Sequence, residues 1–199
     1  MSQERITKVI AILVIGIIVV IANKLRAGKM SDFSKKLGFE ELKDVSAYIS
    51  TILNFEVFKL TSKVNIILTK VIDNNTKIYI IDHQYHSVAT QTLFLLESTE
   101  LNLPDFTLKP KTLLKSSTIE LDAFPKFSSK YILEGEEKEK IINSVFDSKL
   151  VDFLLERKKI LIEVKDNKIM MYKKQIKVKT EKLPIHVDEI VELFNLLKK

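Results

Sequence analysis

The chain of 199 residues carries a formal net charge of +6 and has neither cysteine nor tryptophan. The missing thiols exclude disulfides, thiolate catalysis and cysteine-ligated metal. With the remaining aromatics scattered, a stacking platform for single-stranded nucleic acid has no basis, so no nucleic-acid partner is expected.

Residues 1–25 read as an N-terminal transmembrane anchor. Val9 to Ala22 is apolar without interruption, and Ile6 to Leu25 spans about 30 Å as a helix, the thickness of a hydrocarbon core. Lys8, Asn23 and Lys24 fall near the ends, where polar heads snorkel outward. A buried core helix would need a polar face, which these positions lack. A cleaved signal peptide is the competing reading, with Val20 and Ala22 as small residues before a cleavage site. Against it, Asn23-Lys24-Leu25-Arg26 follows at once, and the segment before the apolar run is no more basic than the one behind. Lys24, Arg26, Lys29, Lys35 and Lys36 follow the helix and only Arg5 and Lys8 precede it, so the positive-inside bias predicts a domain facing the cytoplasm. Residues 26–36 read as a basic tether.

Residues 37–199 suit a single domain. Leu42, Val45, Ile49, Ile52 and Leu53 fall at helical steps, which predicts an amphipathic helix over 40–53, followed by the β-prone FEVFKL. Val64–Ile72, Lys77–Tyr85 and Thr90–Glu97 read as a meander, with Asp73-Asn74-Asn75-Thr76 as its first turn. Leu103 to Pro110, bracketed by prolines, suits an edge strand, and Thr118 to Leu121 a short one. A strand at Tyr131–Leu133 turns at Gly135 into a helix with Ile141, Ile142, Val145 and Phe146 inward. Ser148 is the expected cap of a helix over Lys149–Glu156. Ile160–Val164 and Lys168–Tyr172 form a hairpin about Lys165-Asp166-Asn167, and a last helix runs from Val187 to Leu197. Strands and helices come in separate groups, so the fold class is α+β with a mainly antiparallel sheet packed by helices.

Candidate sites are few. Asp82-His83-Gln84-Tyr85-His86 is the nearest approach to a metal motif, but strand alternation sends His83 and His86 to opposite faces, and no metal is expected. His186, before the last helix, reads as a surface or cap-adjacent histidine. Glu136, Glu137 and Glu139 open a helix, where acids favour the positive end of the dipole. No serine, histidine and carboxylate pattern suggests a nucleophile, so no catalytic residue is assigned. Four glycines leave no phosphate-cradling loop, and no cofactor is expected. Two groups remain. Asp82 and Tyr85 are read as a structural polar cluster at a strand end. Lys173, Lys174, Lys177 and Lys179, around Ile176 and Val178, read as an edge strand in which Lys177 and Lys179 share one face and Ile176 and Val178 the other. The lysines either block sheet-to-sheet association or meet anionic lipid or an acidic protein partner.

The motifs Leu-Gly-Phe (37–39), Asp-x-x-Tyr (82–85), Gln91-Thr92, LPxFxLxP (103–110) and PxFSxxYxLxG (125–135) resemble a widespread family of uncharacterised bacterial proteins, often membrane-anchored. The resemblance covers most of the chain from Leu37 on and implies no catalytic residues. The chain departs from the family's pattern at four places, where a glycine near Thr69, a shorter turn than Asp73–Lys77, an aromatic at His83 and an arginine at Lys109 are expected. The expected function is a non-catalytic binding or scaffolding domain on the cytoplasmic side of the membrane. The alternatives are an enzyme with a site assembled from dispersed polar residues, or a secreted domain if the N-terminal segment is a signal peptide.

Overall fold

The computed structural model describes residues 3–59, 62–85, 89–111, 119–157 and 159–198. The chain divides into two compact units, Met1–Phe39 and Glu40–Lys199.

The first unit is one helix, α1 (Gln3–Leu37). The stretch read as a tether is therefore helical. Once a helix is nucleated, each added residue fixes little for one more hydrogen bond, and between Asn23 and Leu37 only Gly28 disfavours continuation. The helix stops at Gly38, whose φ of 69° is left-handed. The Phe39 amide then donates to the Ser34 carbonyl at 2.9 Å. The Phe39 ring lies 5.5 Å from that of Phe33. These are the bond and the apolar contact of a Schellman cap, which only glycine enters without steric cost.

The second unit comprises β1 (Glu40–Glu41), α2 (Val45–Ser50), β2 (Ser62–Val71), β3 (Thr76–Tyr85), β4 (Ala89–Ser98), β5 (Phe106–Pro110), α3 (Pro125–Ser128), β6 (Tyr131–Glu134), α4 (Lys138–Val145), α5 (Ser148–Glu156), β7 (Leu161–Lys165), β8 (Lys168–Tyr172) and α6 (Leu183–Leu197). The strands form one sheet in the order β1-β2-β3-β4-β8-β7-β5-β6. Every neighbouring pair is antiparallel.

The meander forms as its sequence predicts. Asp73 Oδ1 accepts the Asn75 amide at 2.8 Å and closes the first turn. The β7–β8 hairpin turns on Asp166, with φ 52°, and pairs Lys165 with Lys168.

Elsewhere the local pattern loses to its surroundings. The helix expected over 40–53 is shorter, because Glu40 and Glu41 pair with β2 and Asp44 starts the helix by accepting the Ala47 amide at 3.0 Å. Beyond it, FEVFKL holds a 3-10 turn at Glu56–Phe58 instead of a strand. The LPxFxLxP strand is no edge, since β5 lies between β6 and β7. Its proline is tolerated because β7 pairs only with Phe106, Thr107 and Leu108, leaving Pro110 beyond that ladder. Residues 119–121 form no strand, although the Ile119 amide donates to Leu133 at 2.8 Å; Thr118 lies outside the described residues. The cap before α5 is Asp147, which accepts the Leu150 amide at 2.9 Å, with Ser148 as the first helical residue. α6 opens at Leu183, with Pro184 in the first turn, where its missing N–H costs nothing.

One sheet face carries Ile67, Tyr79, Ile81, Leu93, Leu95, Met170 and Tyr172 beneath Ile52, Phe55, Val57 and Phe58. On the other face α6 packs against β4, burying Ile190, Leu193, Phe194 and Leu197.

Candidate functional site

The lysine-bearing segment after β8 is held by polar side chains that the sheet interior would otherwise exclude. Asp82, His83, Gln91 and Thr92 are all buried. Register makes them two cross-strand pairs, Asp82 opposite Thr92 and His83 opposite Gln91. Burial at these positions demands partners, and the 175–178 backbone supplies them. Thr92 Oγ1 donates to Asp82 Oδ1 at 2.8 Å and accepts the Val178 amide at 3.1 Å. The Thr92 amide donates to the Ile176 carbonyl at 3.0 Å. Gln91 Oε1 accepts the Gln175 amide at 3.0 Å. That bond fixes the amide orientation, so Gln91 Nε2 donates to His83 Nδ1 at 3.2 Å and the imidazole carries its proton on Nε2.

His83 Nε2 finds no hydrogen-bond partner among the described residues. The ring meets Phe58 edge-on at 5.1 Å. Burial lowers the His83 pKa from 6.5 to about 4, so the ring is neutral at physiological pH. His83 thus fills the position where an aromatic is expected, with its ring in the core. His86 lies outside the described residues, as does the side chain of Tyr85, whose backbone ends β3. Among the described residues, no group of three His, Asp or Glu side chains is placed to hold a metal ion.

Lys173, Lys174, Lys177 and Lys179 do not form a strand. Gln175 takes a left-handed φ of 59°, and the Ile176 amide turns back to the Lys173 carbonyl at 3.1 Å. This turn breaks the alternation expected of the segment. Val178 is buried, but Ile176 is 50% exposed.

His186 lies inside α6 and is half-buried, with Nδ1 2.6 Å from Glu189 Oε2 one turn on. His186, and next Arg157, hold the Glu189 carboxyl below its ordinary range against the opposing effect of burial. Arg157 lies 3.6 Å over the Phe153 ring and donates to Glu192 at 2.7 Å, which ties α5 to α6. The cavity beside His186, Glu189, Thr92 and Lys173 measures about 10 Å³, room for roughly one water.

A second buried carboxylate, Glu163 on β7, anchors the 55–58 segment. Its oxygens accept the amides of Glu56 at 2.6 Å and Val57 at 3.3 Å, and the Tyr172 hydroxyl at 2.8 Å. Burial raises its pKa, while these three donors pull the other way. Nothing in the alternation of Leu161–Lys165 sets this residue apart from a solvent-facing glutamate. Gln91 and Thr92 carry a weak signal, because they open a strand opposite Asp82 and His83 in a hairpin of legible register.

An open cleft of about 550 Å³ is lined by Glu56, Asp105, Glu134, Glu136, Glu137 and Asp166, with Lys165 beside them. Glu137 pairs with Lys140 at 3.1 Å, Glu139 lies in the first turn of α4, and Asp105 accepts the Asp166 amide at 3.0 Å. The LPxFxLxP and YxLxG motifs meet here as the paired strands β5 and β6. Gly135 is required by close approach, because a Cβ there would lie 2.8 Å from the Asp105 carbonyl oxygen.

The chain matches no family model, no curated protein and no solved structure. Its α+β fold and one helix long and apolar enough to cross a membrane are the coarse facts from which function is argued.

Proposed function

We propose that the protein is a single-pass anchored domain of the cytoplasmic membrane that acts by binding or scaffolding on the cytoplasmic side. Its motifs support grouping it with the uncharacterised bacterial family it resembles. The observation that carries the reading is the apolar stretch of α1, whose described side chains from Ile6 to Leu25 are all exposed to solvent in the isolated chain. Such a surface is stable only in hydrocarbon or against another protein. The basic residues behind it favour a cytoplasmic domain.

Helical continuation of α1 through Leu37 adds about 18 Å of polar, basic rod beyond Leu25. Its basic residues suit the headgroup layer, although Met30 and Phe33 in the same stretch are buried. The polar clusters hold irregular segments to the sheet.

The test is topology. In spheroplasts of a bacterial host, external protease should spare the domain, and permeabilisation should expose it. Digestion of intact spheroplasts to a short fragment refutes the orientation, and release of the chain by alkaline carbonate refutes the anchor.

A further inference from the structure

The turn at Lys173–Lys177 joins two features, a run of lysines and an exposed aliphatic residue held in place. Between Lys173 and Lys182 the chain carries five lysines against one acid, Glu181. In their midst Ile176 projects an aliphatic side chain that is half-exposed. An exposed isoleucine on a loose loop folds back onto the protein at little cost. This one is prevented from doing so, because its flanking backbone is bonded to Gln91 and Thr92 on a central strand. A rigid turn presenting one apolar residue within a basic ring has the form of an interfacial contact, where an aliphatic tip enters the acyl boundary and ammonium groups meet phosphates.

We infer that the Lys173–Lys177 turn is a docking surface for an anionic bilayer, with Ile176 entering the headgroup boundary and the flanking lysines meeting lipid phosphates. This rests on the anchored reading above, because an anchor confines the domain near a bilayer and makes a weak contact sufficient. Charge complementarity selects anionic over neutral lipid. Confinement by the anchor keeps lipid phosphates at high local concentration, which favours the bilayer over an acidic protein as occupant.

The chain contains no tryptophan, so a single introduced one reports its own environment. The full-length Ile176→Trp chain is reconstituted into vesicles of phosphatidylcholine, alone or with phosphatidylglycerol. In anionic vesicles its emission shifts to the blue and is quenched by chain-brominated lipid. Both effects are lost in neutral vesicles and at high salt. Each of Lys177→Gln and Lys179→Gln cuts the docked-to-free ratio by roughly fivefold. Red, unquenched emission in anionic vesicles, or equal quenching in both compositions, overturns the inference. If polyglutamate shifts the emission while anionic vesicles do not, the turn serves an acidic protein and the inference is again overturned.

A Leu13→Trp chain tests the anchor separately and is quenched in both vesicle types if α1 spans the bilayer. Loss of that signal alone defeats the anchor and not the turn. Should Ile176→Trp fail to fold, Ile176→Cys carrying an environment-sensitive dye gives the same reading.

Discussion

Two buried polar centres each hold an irregular segment of the second unit, and they do so by opposite electrostatics. Glu163 fixes the 55–58 segment with a carboxylate that receives three donors. The Asp82–Thr92 and His83–Gln91 pairs fix the 175–178 segment, but with an imidazole that has one nitrogen without a partner among the described residues. The first is nearly saturated, and its cost is desolvated charge. The second has an unmet donor, and its cost appears when a proton is added. A segment that cannot join a ladder needs such a clasp, and the kind of clasp sets the pH at which it loosens.

The largest effect separating the two should come from Glu163→Ala. It orphans two amides and the Tyr172 hydroxyl and leaves a cavity, which predicts a loss of about 3–5 kcal/mol. Urea denaturation of the full chain in detergent, followed by circular dichroism, measures it. That is a large share of the ~5–15 kcal/mol typical of a domain. A midpoint close to native would mean that the 55–58 segment is held by Phe55, Val57 and Phe58 alone.

The pH profiles should have opposite signs. The His83 pKa is lowered on folding, so its contribution is present above 6.5 and is lost as pH falls through about 4. The loss amounts to about 3 kcal/mol over that interval. His83→Phe supplies an aromatic at the same place and should flatten the acid limb while staying within ~1.5 kcal/mol of native at neutral pH. The Glu163 pKa is raised, so its contribution is full below 4.5 and declines as pH rises through the raised value. Glu163→Gln should therefore gain on the native chain as pH increases. Parallel profiles for His83→Phe and the native protein would show that His83 is hydrated in solution.

Thr92→Val preserves shape and removes both the donor to Asp82 and the acceptor of the Val178 amide, at an expected cost of about 2 kcal/mol. In double-mutant combination with Glu163→Ala the losses should add within ~0.5 kcal/mol, because the link between the centres runs through the edge-on Phe58–His83 ring contact, one residue along the strand from the Asp82–Thr92 pair. Coupling beyond that would make the sheet one cooperative polar network. The smallest effect is Asp82→Asn, about 1 kcal/mol, since the amide oxygen still accepts from Thr92.

What could be read from the chain divides along the same line. The meander and the β7–β8 hairpin were legible because alternation and turn residues are local signals. The interior position of β5 was not, because its pairing with β7 joins residues far apart in sequence, and a proline at a strand end looks the same at an edge or inside. The lysine segment alternates like a strand, but the left-handed Gln175 and the call of two buried side chains on its amides impose a turn. Residues 26–36 looked like a tether by composition, yet helix propagation needs only the absence of a stop, which arrives at Gly38. Of the candidate site, the lysines and Asp82 were visible in advance. Gln91, Thr92 and Glu163 owe their roles to burial, which a single sequence does not display.

The sheet order also has a consequence for synthesis. β4 exposes the edge from Leu93 to Glu97 until Lys168–Tyr172 arrive to cover it, about 70 residues later, or several seconds at roughly 5–20 residues per second on the ribosome. During that interval a meander rich in isoleucine and leucine stands open on one side, while β5 and β6, already made, have no place to dock until β7 and β8 intervene. Ribosome-bound chains truncated before Lys168 should bind chaperones or aggregate, and chains extended past Tyr172 should not. The last strands of this sheet to be made are the ones that sit at its centre.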